Sequence, residues 1–328
     1  MNKHLYWIDL AKVIGLYFMI LGHGNMVSDE FRCYIYSFHM PLFFIISGLL
    51  TKDNKGGVNK NYNNLIIPYI CLNVICLIFF TLIEFYKGIF SLKLLMSHFF
   101  AIVLGVGYET DSFKPVCTPM WFFYVLFLIK IMYHVVPSTK VFKAMQFILC
   151  FILVKWLTYY NIDTLLPIDS AIMAYPFFLI GTELKRLLDC FGHTNRYMLL
   201  FAFIALIMCY FVSLFNGRCD IDTMRYGSFY SLFIFTGTVI AISILVISRK
   251  VIENFPYRRF YLQTFCAGAP LIVGLNLLVI NVIKPFLSSI VGEWNDIYGI
   301  TLGLIIMCFF YPLILFTRRY MPIILGNR

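Results

Sequence analysis

Long apolar stretches separated by short polar connections run along the whole chain of 328 residues. A helix needs about 20 mainly apolar residues to cross the hydrocarbon core of a bilayer. The pattern predicts an all-α, polytopic membrane bundle of about ten spans, at residues 5–26, 35–50, 65–86, 119–136, 142–160, 168–184, 197–216, 226–247, 263–283 and 297–316. The connections are too short for a soluble domain, so we expect residues 1–328 to form a single membrane domain.

Two segments fit this pattern less well. Residues 90–106 are apolar but interrupted by Lys93 and His98, which favours an interfacial or re-entrant helix over a further span. The second span is short, and its His39-Met40-Pro41 step is predicted to bend or break it, because proline removes a helical hydrogen bond. A bend there would make room beside His39.

Composition supports a membrane protein: 61% of the residues are hydrophobic and 13% are charged, whereas a soluble domain has about 25% charged residues. The net charge of +10 comes without a nucleic-acid-binding motif. Lysines and arginines concentrate instead in alternate loops, which predicts that both termini are cytoplasmic. The cysteines are scattered without a CxxC pair, so neither a disulfide framework nor a metal site is predicted.

Three ionisable residues lie in the first apolar segment. Lys12 and His23 are eleven residues apart, which places them on one helix face roughly 16 Å apart along the axis. Asp9 precedes Lys12 by three residues and falls on the same face. Charged groups inside a membrane are costly, and they are therefore candidates for function. The alternative is structural, with Asp9 and Lys12 at the inner interface and His23 closing the outer helix end.

A second histidine, His39, lies a few residues into the next predicted span. A single histidine in an apolar helix is usually a satisfied bundle residue. The predicted topology, however, places His39 at a depth similar to that of His23 on the adjacent helix. We therefore expect both to line one outward-facing pocket. Motifs for ATP hydrolysis, serine hydrolases and zinc proteases do not occur in the chain.

These segments resemble the acyltransferase 3 family of membrane acyltransferases, particularly its fucose 4-O-acetylase-like members. The resemblance covers most of the chain and rests on ordered motifs: W-I-D-L-A-K…G-H (7–23), F-H-M-P-L-F-F-I-I-S-G (38–48), L-I-I-P-Y (65–69), P-M-W-F-F-Y-V-L-F (119–127) and Y-P-F-F-L-I-G (175–181). Lys12 stands where the family usually has arginine, so the charge is kept but the bidentate fork is lost. Lys60 and Asn61 occupy a region where arginines are common, and Asn276 stands where histidine is frequent.

The resemblance implies transfer of an acyl group, usually acetyl, from cytoplasmic acyl-CoA to a hydroxyl of a cell-surface or lipid-linked carbohydrate. Acetyl-CoA is then a substrate, and no bound cofactor is expected. The expected partners are acyl-CoA, a carbohydrate acceptor and the lipid bilayer, with no nucleic acid. The expected location is the cell membrane, namely the inner or plasma membrane of a bacterium.

Residue roles follow from this chemistry. His23 is the candidate general base or transient acyl carrier, because a histidine can take the proton of an attacking hydroxyl near neutral pH. His39 would stabilise the oxyanion or position the acceptor. Asp9 and Lys12 would shape the donor entrance, with Lys12 meeting phosphate charge.

Two aromatic residues, Trp121 and Tyr124, are candidates for an acceptor platform at the outer face. An ordinary interfacial aromatic belt explains them as well. The basic inner loops could attract an anionic CoA, although topology alone also explains their charge: Lys52, Lys55, Lys60, Arg258 and Arg259.

Two non-enzymatic alternatives are considered. A secondary transporter would have similar helices but would favour repeats and broken helices in corresponding halves, which are not visible in the sequence. A flippase for glycans or lipid-linked sugars, without covalent chemistry, stays open on the sequence alone.

Overall fold

The computed structural model describes residues 4–51, 61–136, 139–190, 195–255, 259–291 and 295–326. They form the predicted all-α bundle, with one short hairpin of two strands. The helices are α1 (Tyr6–Gly22), α2 (Asp29–Leu50), α3 (Ile67–Tyr86), α4 (Leu92–Leu104), α5 (Trp121–Val135), α6 (Lys140–Tyr159), α7 (Ile168–Cys190), α8 (Arg196–Asn216), α9 (Tyr230–Asn254), α10 (Arg259–Ala267), α11 (Ala269–Val291) and α12 (Asp296–Tyr320). The strands between α8 and α9 are β1 (Cys219–Asp220) and β2 (Arg225–Tyr226).

Within the described ranges, seven helices are long and apolar enough to cross a membrane, or up to eight if the bent pair α10–α11 is one span. α1 and α7 lie at the two remaining predicted positions. α1 has only 17 residues, and α7 carries the charged residues Glu183, Lys185 and Arg186 near its end. The prediction of a polytopic membrane bundle is confirmed.

The predicted second span begins too late. α2 runs without interruption from Asp29 to Leu50, so it starts six residues earlier than predicted and continues through Pro41. Its first turn is capped by the Ser28 hydroxyl, which accepts a hydrogen bond from the Phe31 amide. Gly237 of α9 packs against the proline turn, since a Cβ there would lie 2.9 Å from Pro41 Cβ and 3.0 Å from the Ser37 carbonyl oxygen.

The ninth predicted span, 263–283, is not one straight helix. Residues 260–267 and 269–285 meet at an angle of 70° on either side of Gly268. Pro270 explains the break, because it lacks an amide hydrogen and fits only the first turn of a new helix. The apolar pattern continues across the break, so periodicity alone does not reveal it.

The interrupted segment 90–106 contains the short helix α4, whose 13 residues are too few for a span. It ends at Gly105, which adopts a left-handed conformation. Two contacts attach α4 to α3: the Tyr69 hydroxyl donates to the Ile102 carbonyl oxygen at 2.6 Å, and His98 Nε2 lies 2.8 Å from Glu84 Oε1.

The first two helices occupy the middle of the bundle. α1 contacts α2, α9, α10, α11 and α12, and α2 contacts α7, α8 and α9 as well. Both helices therefore have neighbours on most sides, and Asp9, Lys12 and His39 face protein or internal space. This arrangement positions the site, because a non-lipid environment is where intramembrane ionisable groups are tolerated.

Candidate active site

A cavity of about 310 Å³ lies inside the bundle. At one end it is lined by Lys12, Asn61, Asn64 and Lys130, and at the other by the hairpin between α8 and α9. The predicted topology assigns the lysine end to the cytoplasm and the hairpin end to the outside. His23 and His39 both line this cavity. The volume is within the range of small-molecule sites in proteins.

His23 immediately follows the last residue of α1. Its backbone amide bonds to the Ile20 carbonyl, and its Nδ1 lies 2.6 Å from the Met19 carbonyl oxygen. The chain then turns through Gly24, with φ +69°, where a Cβ would lie 2.4 Å from Ile280 Cγ2. Lys284 Nζ donates to the Gly24 and Asn25 carbonyl oxygens, each at 2.7 Å, and so fixes this turn.

His39 is 2% exposed and lies midway along α2. Its Nδ1 lies 2.9 Å from the Ile35 carbonyl oxygen, one turn earlier in the same helix. The His23 and His39 rings are perpendicular, with their centroids 6.4 Å apart. The structure thus brings the two predicted histidines together on one cavity wall.

The same atom of each imidazole is engaged by the backbone, and this decides the tautomer. A carbonyl oxygen only accepts hydrogen bonds, so Nδ1 must carry the proton in both rings. Each neutral ring then presents the lone pair of Nε2. Two hydrogen-bond acceptors of nearly fixed orientation therefore lie side by side at the cavity, an arrangement suited to taking protons from hydroxyl groups.

Tyr36 completes this group of aromatic rings, although the sequence did not mark it. Its ring centroid is 5.0 Å from that of His39 and 6.3 Å from that of His23. The Arg218 guanidinium lies over the same ring at 5.1 Å. Tyr36 precedes His39 by three residues, so the helical spacing could have pointed to it as a neighbour on one face.

The two predicted donor residues have different surroundings. Lys12 lines the inner cavity, and no hydrogen bond or ion pair joins its ammonium group to the residues that the structure describes. Asp9 is buried and bonds through Oδ2 to His4 Nε2 at 2.5 Å. The Asp9 carbonyl oxygen also accepts from the Cys266 thiol, which belongs to the cavity wall. Lys12 thus contributes a free positive charge, and Asp9 a paired negative one.

The two predicted acceptor residues also separate. Trp121 lines the cavity at the start of α5. Tyr124, one turn later, packs on the side of α3 and α4, with its ring 5.5 Å from Tyr69 and against the Cα of Gly105. Tyr124 therefore supports the outer end of α5 through packing, while Trp121 faces the internal space.

Several cavity residues were missed by sequence reasoning. Lys130 lies within the predicted span 119–136, yet it lines the inner cavity, and its Nζ lies 3.2 Å from Asn61 Oδ1. Asp220 and Asp222 lie between the predicted spans 197–216 and 226–247, yet the hairpin brings both into the cavity wall. The only sequence indication was a pair of acids in alternation with apolar residues, R-C-D-I-D, between two glycines.

A metal ion has no evident place in the part of the chain that the structure covers, where no group of three or more His, Cys, Asp and Glu side chains is arranged to hold one. The basic inner loop with Lys52, Lys55 and Lys60, together with Arg258, lies outside the described residues.

Comparison with known proteins assigns the chain to a family of enzymes. The sequence model of the acyltransferase 3 family, described as an acyltransferase domain, matches residues 5–191. The matched range is more than half of the chain and includes Lys12, His23, His39 and Trp121. Neither a curated protein nor a solved structure gives a significant match. The chain is thus a multi-pass membrane protein that belongs to the acyltransferase 3 family of acyltransferases.

Proposed function

We propose that this acyltransferase is an O-acetyltransferase that moves acetyl from cytoplasmic acetyl-CoA to a hydroxyl of a cell-surface or lipid-linked carbohydrate. The observation that carries the proposal is the cavity itself. It has cationic side chains at the predicted inner end and paired histidines between that end and the outer hairpin. A cytoplasmic donor and an outer acceptor could meet there without either crossing the membrane.

His23 is the proposed general base. Its Nδ1–H bond to the Met19 carbonyl leaves Nε2 free to take the proton of the acceptor hydroxyl. The hydroxyl oxygen attacks the thioester carbonyl carbon, and the tetrahedral intermediate collapses with cleavage of the C–S bond. The imidazolium then returns its proton to the departing thiolate, so the products are the acetyl ester and CoA. No external oxidant or reductant is required.

His39 is proposed to position the acceptor. Its single proton in the neutral state is committed to the Ile35 carbonyl, so the ring cannot donate a hydrogen bond to an oxyanion. It can accept one from the attacking hydroxyl or from a neighbouring hydroxyl. Of the two roles considered for His39, this tautomer favours positioning over oxyanion stabilisation.

The donor would enter from the predicted cytoplasmic end. Lys12 provides an ammonium group that has no partner among the described residues, and Lys130 and Asn61 form a second polar group in the same cavity lining. Phosphate groups of CoA would be attracted to these cations, while the uncharged pantetheine arm extends towards the histidines. Asp9 would act indirectly, through its contacts with His4 and Cys266.

Trp121 is proposed to contact the acceptor at the outer part of the cavity, because its apolar face suits the C–H face of a sugar ring. The acceptor-binding role of Tyr124 stays a prediction. Any effect of this residue on the acceptor would be indirect, through its packing at the outer end of α5. We further propose that residues 1–328 work as one unit, since α9 to α12 lie beyond the family match and all contact α1. The proposed location, a bacterial plasma membrane, rests on the family resemblance.

The test uses inverted membrane vesicles that contain host glycans and are supplied with acetyl-CoA labelled in the acetyl group. CoA release and label in the glycan fraction are measured for wild type, His23→Gln and His134→Gln. His134, near the end of α5, is a matched control outside the cavity wall. We expect His23→Gln to reduce transfer by about 10²–10⁴-fold and His134→Gln to leave it unchanged.

Undiminished transfer by His23→Gln would refute the base role. Transfer that occurs only when acetyl-CoA is supplied to the outer face, in right-side-out vesicles, would refute the cytoplasmic donor. Glycan export without CoA release would favour the flippase alternative.

A further inference from the structure

Strand pairing and side-chain hydrogen bonds hold the hairpin between α8 and α9. Cys219 pairs with Tyr226, and Asp220 pairs with Arg225. Asn216 holds the base of the hairpin: its Nδ2 donates to the Tyr226 carbonyl oxygen and its Oδ1 accepts from the Phe229 amide, each at 2.8 Å. The position of the turn that follows β1 is therefore determined by specific contacts with the end of α8.

That turn places Asp222 inside the protein. The residue is 8% exposed and belongs to the cavity wall. Its carbonyl oxygen accepts from the Ser170 hydroxyl at 3.4 Å. Its carboxylate lies against Gly107, where a Cβ would come within 2.5 and 2.6 Å of the two oxygens and 2.6 Å of Trp121 Cβ. The absence of a side chain at Gly107 thus lets the carboxylate reach the wall beside Trp121.

The Asp222 carboxylate has no hydrogen-bond donor within the described ranges. Asp220, its neighbour, is different, because the Asp222 amide donates to it and Arg218 and Arg225 lie close enough to favour its charge. Burial, followed by the charges of Asp220 and Asp169, raises the pKa of Asp222 well above its ordinary value. Because Asp222 lines the cavity, its carboxyl oxygens are open to a ligand there, and a ligand with donor groups would offset the cost of burying the carboxyl group.

We propose that Asp222 is the specificity-determining residue for the acceptor, accepting hydrogen bonds from two adjacent hydroxyls of an uncharged sugar that packs on Trp121. The inference rests on the proposed function and names the substrate class of the same site. A carboxylate has two oxygens and can accept from both hydroxyls of a diol. It would repel the carboxylate of a uronic acid, so the acceptor residue is a neutral sugar.

Binding is tested with the purified full-length protein in nanodiscs and two probes that differ by one charged group, methyl galactoside and methyl galacturonoside. Saturable binding is measured by ligand-detected NMR for wild type, Asp222→Asn and Asp163→Asn. Asp163 is an exposed acid on the same outer side and serves as the control for lost negative charge. We expect wild type and Asp163→Asn to bind the galactoside at least tenfold more tightly than the galacturonoside. Asp222→Asn should bind the galactoside about tenfold to a hundredfold more weakly and discriminate less.

A thermal-unfolding curve of each ligand-free protein shows that the variants are folded. Asp222→Asn should unfold at a higher temperature than wild type, since it removes a buried unpaired acid. A structural role for the carboxylate would instead lower that temperature. Equal galactoside binding by Asp222→Asn and wild type, equal loss in Asp163→Asn, or no saturable binding of the galactoside by wild type would each overturn the proposal.

The labelled-acetyl assay separates this proposal from the function on which it rests. Wild-type transfer to glycans with equal transfer by Asp222→Asn would refute the role of Asp222 and leave the acetyltransferase function intact. Absence of transfer by wild type itself would refute the function. Reduced transfer by Asp222→Asn, together with an unchanged KM for acetyl-CoA, is the expected result.

Discussion

The helix that carries His39 crosses α7 at very short distance, and two glycines make this possible. A Cβ on Gly48 would lie 2.1 Å from the Phe178 carbonyl oxygen and 3.1 Å from Gly181 Cα. A Cβ on Gly181 would lie 2.1 Å from the Ile45 carbonyl oxygen. Because the obstructing atoms belong to the backbone, no side-chain rotation can relieve either clash.

An alanine at either position therefore requires the two helices to separate. Ordinary contact begins near 3.4 Å, so the local displacement is about 1.3 Å. Overpacking of this kind costs about 1–3 kcal/mol. The higher helix propensity of alanine offsets up to about 1 kcal/mol of this cost. We expect a net loss of about 1–2 kcal/mol for Gly48→Ala and for Gly181→Ala, and a Tm lower by a few degrees.

The displacement should also affect the chemistry. His39 lies nine residues before Gly48 on the same helix, and a shift of 1 Å at a reacting group can cost about 100-fold in rate. We therefore expect both variants to transfer acetyl at least tenfold more slowly, although neither glycine lines the cavity wall described above.

The assay is thermal unfolding in nanodiscs, followed by labelled-acetyl transfer in vesicles. Gly274→Ala in α11 is the matched control, because its Cβ would meet only side-chain atoms: Leu72 Cδ1 at 3.0 Å, Leu72 Cβ at 3.3 Å and Met120 Sδ at 3.4 Å. The double variant Gly48→Ala/Gly181→Ala should lose less than the sum of the single losses, since one separation relieves both clashes. Tm values of the single variants equal to or above that of Gly274→Ala would refute the reasoning.

Three further changes have defined outcomes. Lys12→Met should raise the KM for acetyl-CoA about tenfold while Lys12→Arg retains wild-type KM, as measured by initial rates of CoA release; an unchanged KM in Lys12→Met would contradict phosphate binding. The folded-state pKa of Asp222 is raised above 3.8 by burial and by Asp220 and Asp169, so ionisation opposes folding. Tyr108 is another titratable group close to Asp222. The wild-type Tm should fall as pH rises above about 3.8, and a flatter Tm–pH curve for Asp222→Asn would be the confirming result. His98→Ala leaves the buried Glu84 carboxyl group without its partner and should lower the free energy of unfolding by about 3–5 kcal/mol; a loss below about 1 kcal/mol would show that the pair is unimportant.

The first two helices show what a sequence pattern can predict. Lys12 and His23 share a face because helical geometry is local, and His39 follows from a turn of a few residues between adjacent helices. The helical repeat also places Asp9 on this face. The contact that pairs Asp9 with His4, however, depends on the path of the chain before α1. Local geometry was thus sufficient to place Lys12, His23 and His39 and to predict the presence of most helices.

The hairpin acids show where such reasoning ends. Asp222 meets Gly107 and Trp121, which are separated from it by more than a hundred and about a hundred positions in the chain. Their contact depends on how α4, α5 and the hairpin pack at the outer end of the bundle, and no periodic pattern encodes that. Lys130 was missed for a related reason, because the polar group at its tip turns inward to Asn61 instead of outward to the interface.

The distribution of charge along the cavity gives the proposed reaction a direction. An anionic donor is attracted to the end with Lys12 and Lys130 and repelled by the end with Asp220 and Asp222. A neutral sugar has no net charge to be repelled, and its hydroxyls can satisfy the carboxylate that the protein leaves without a donor. The anionic donor is therefore excluded from the end with the acids, and the neutral sugar is poorly held at the end with the lysines. The histidine pair lies between the two ends, where the thioester and the hydroxyl would come together.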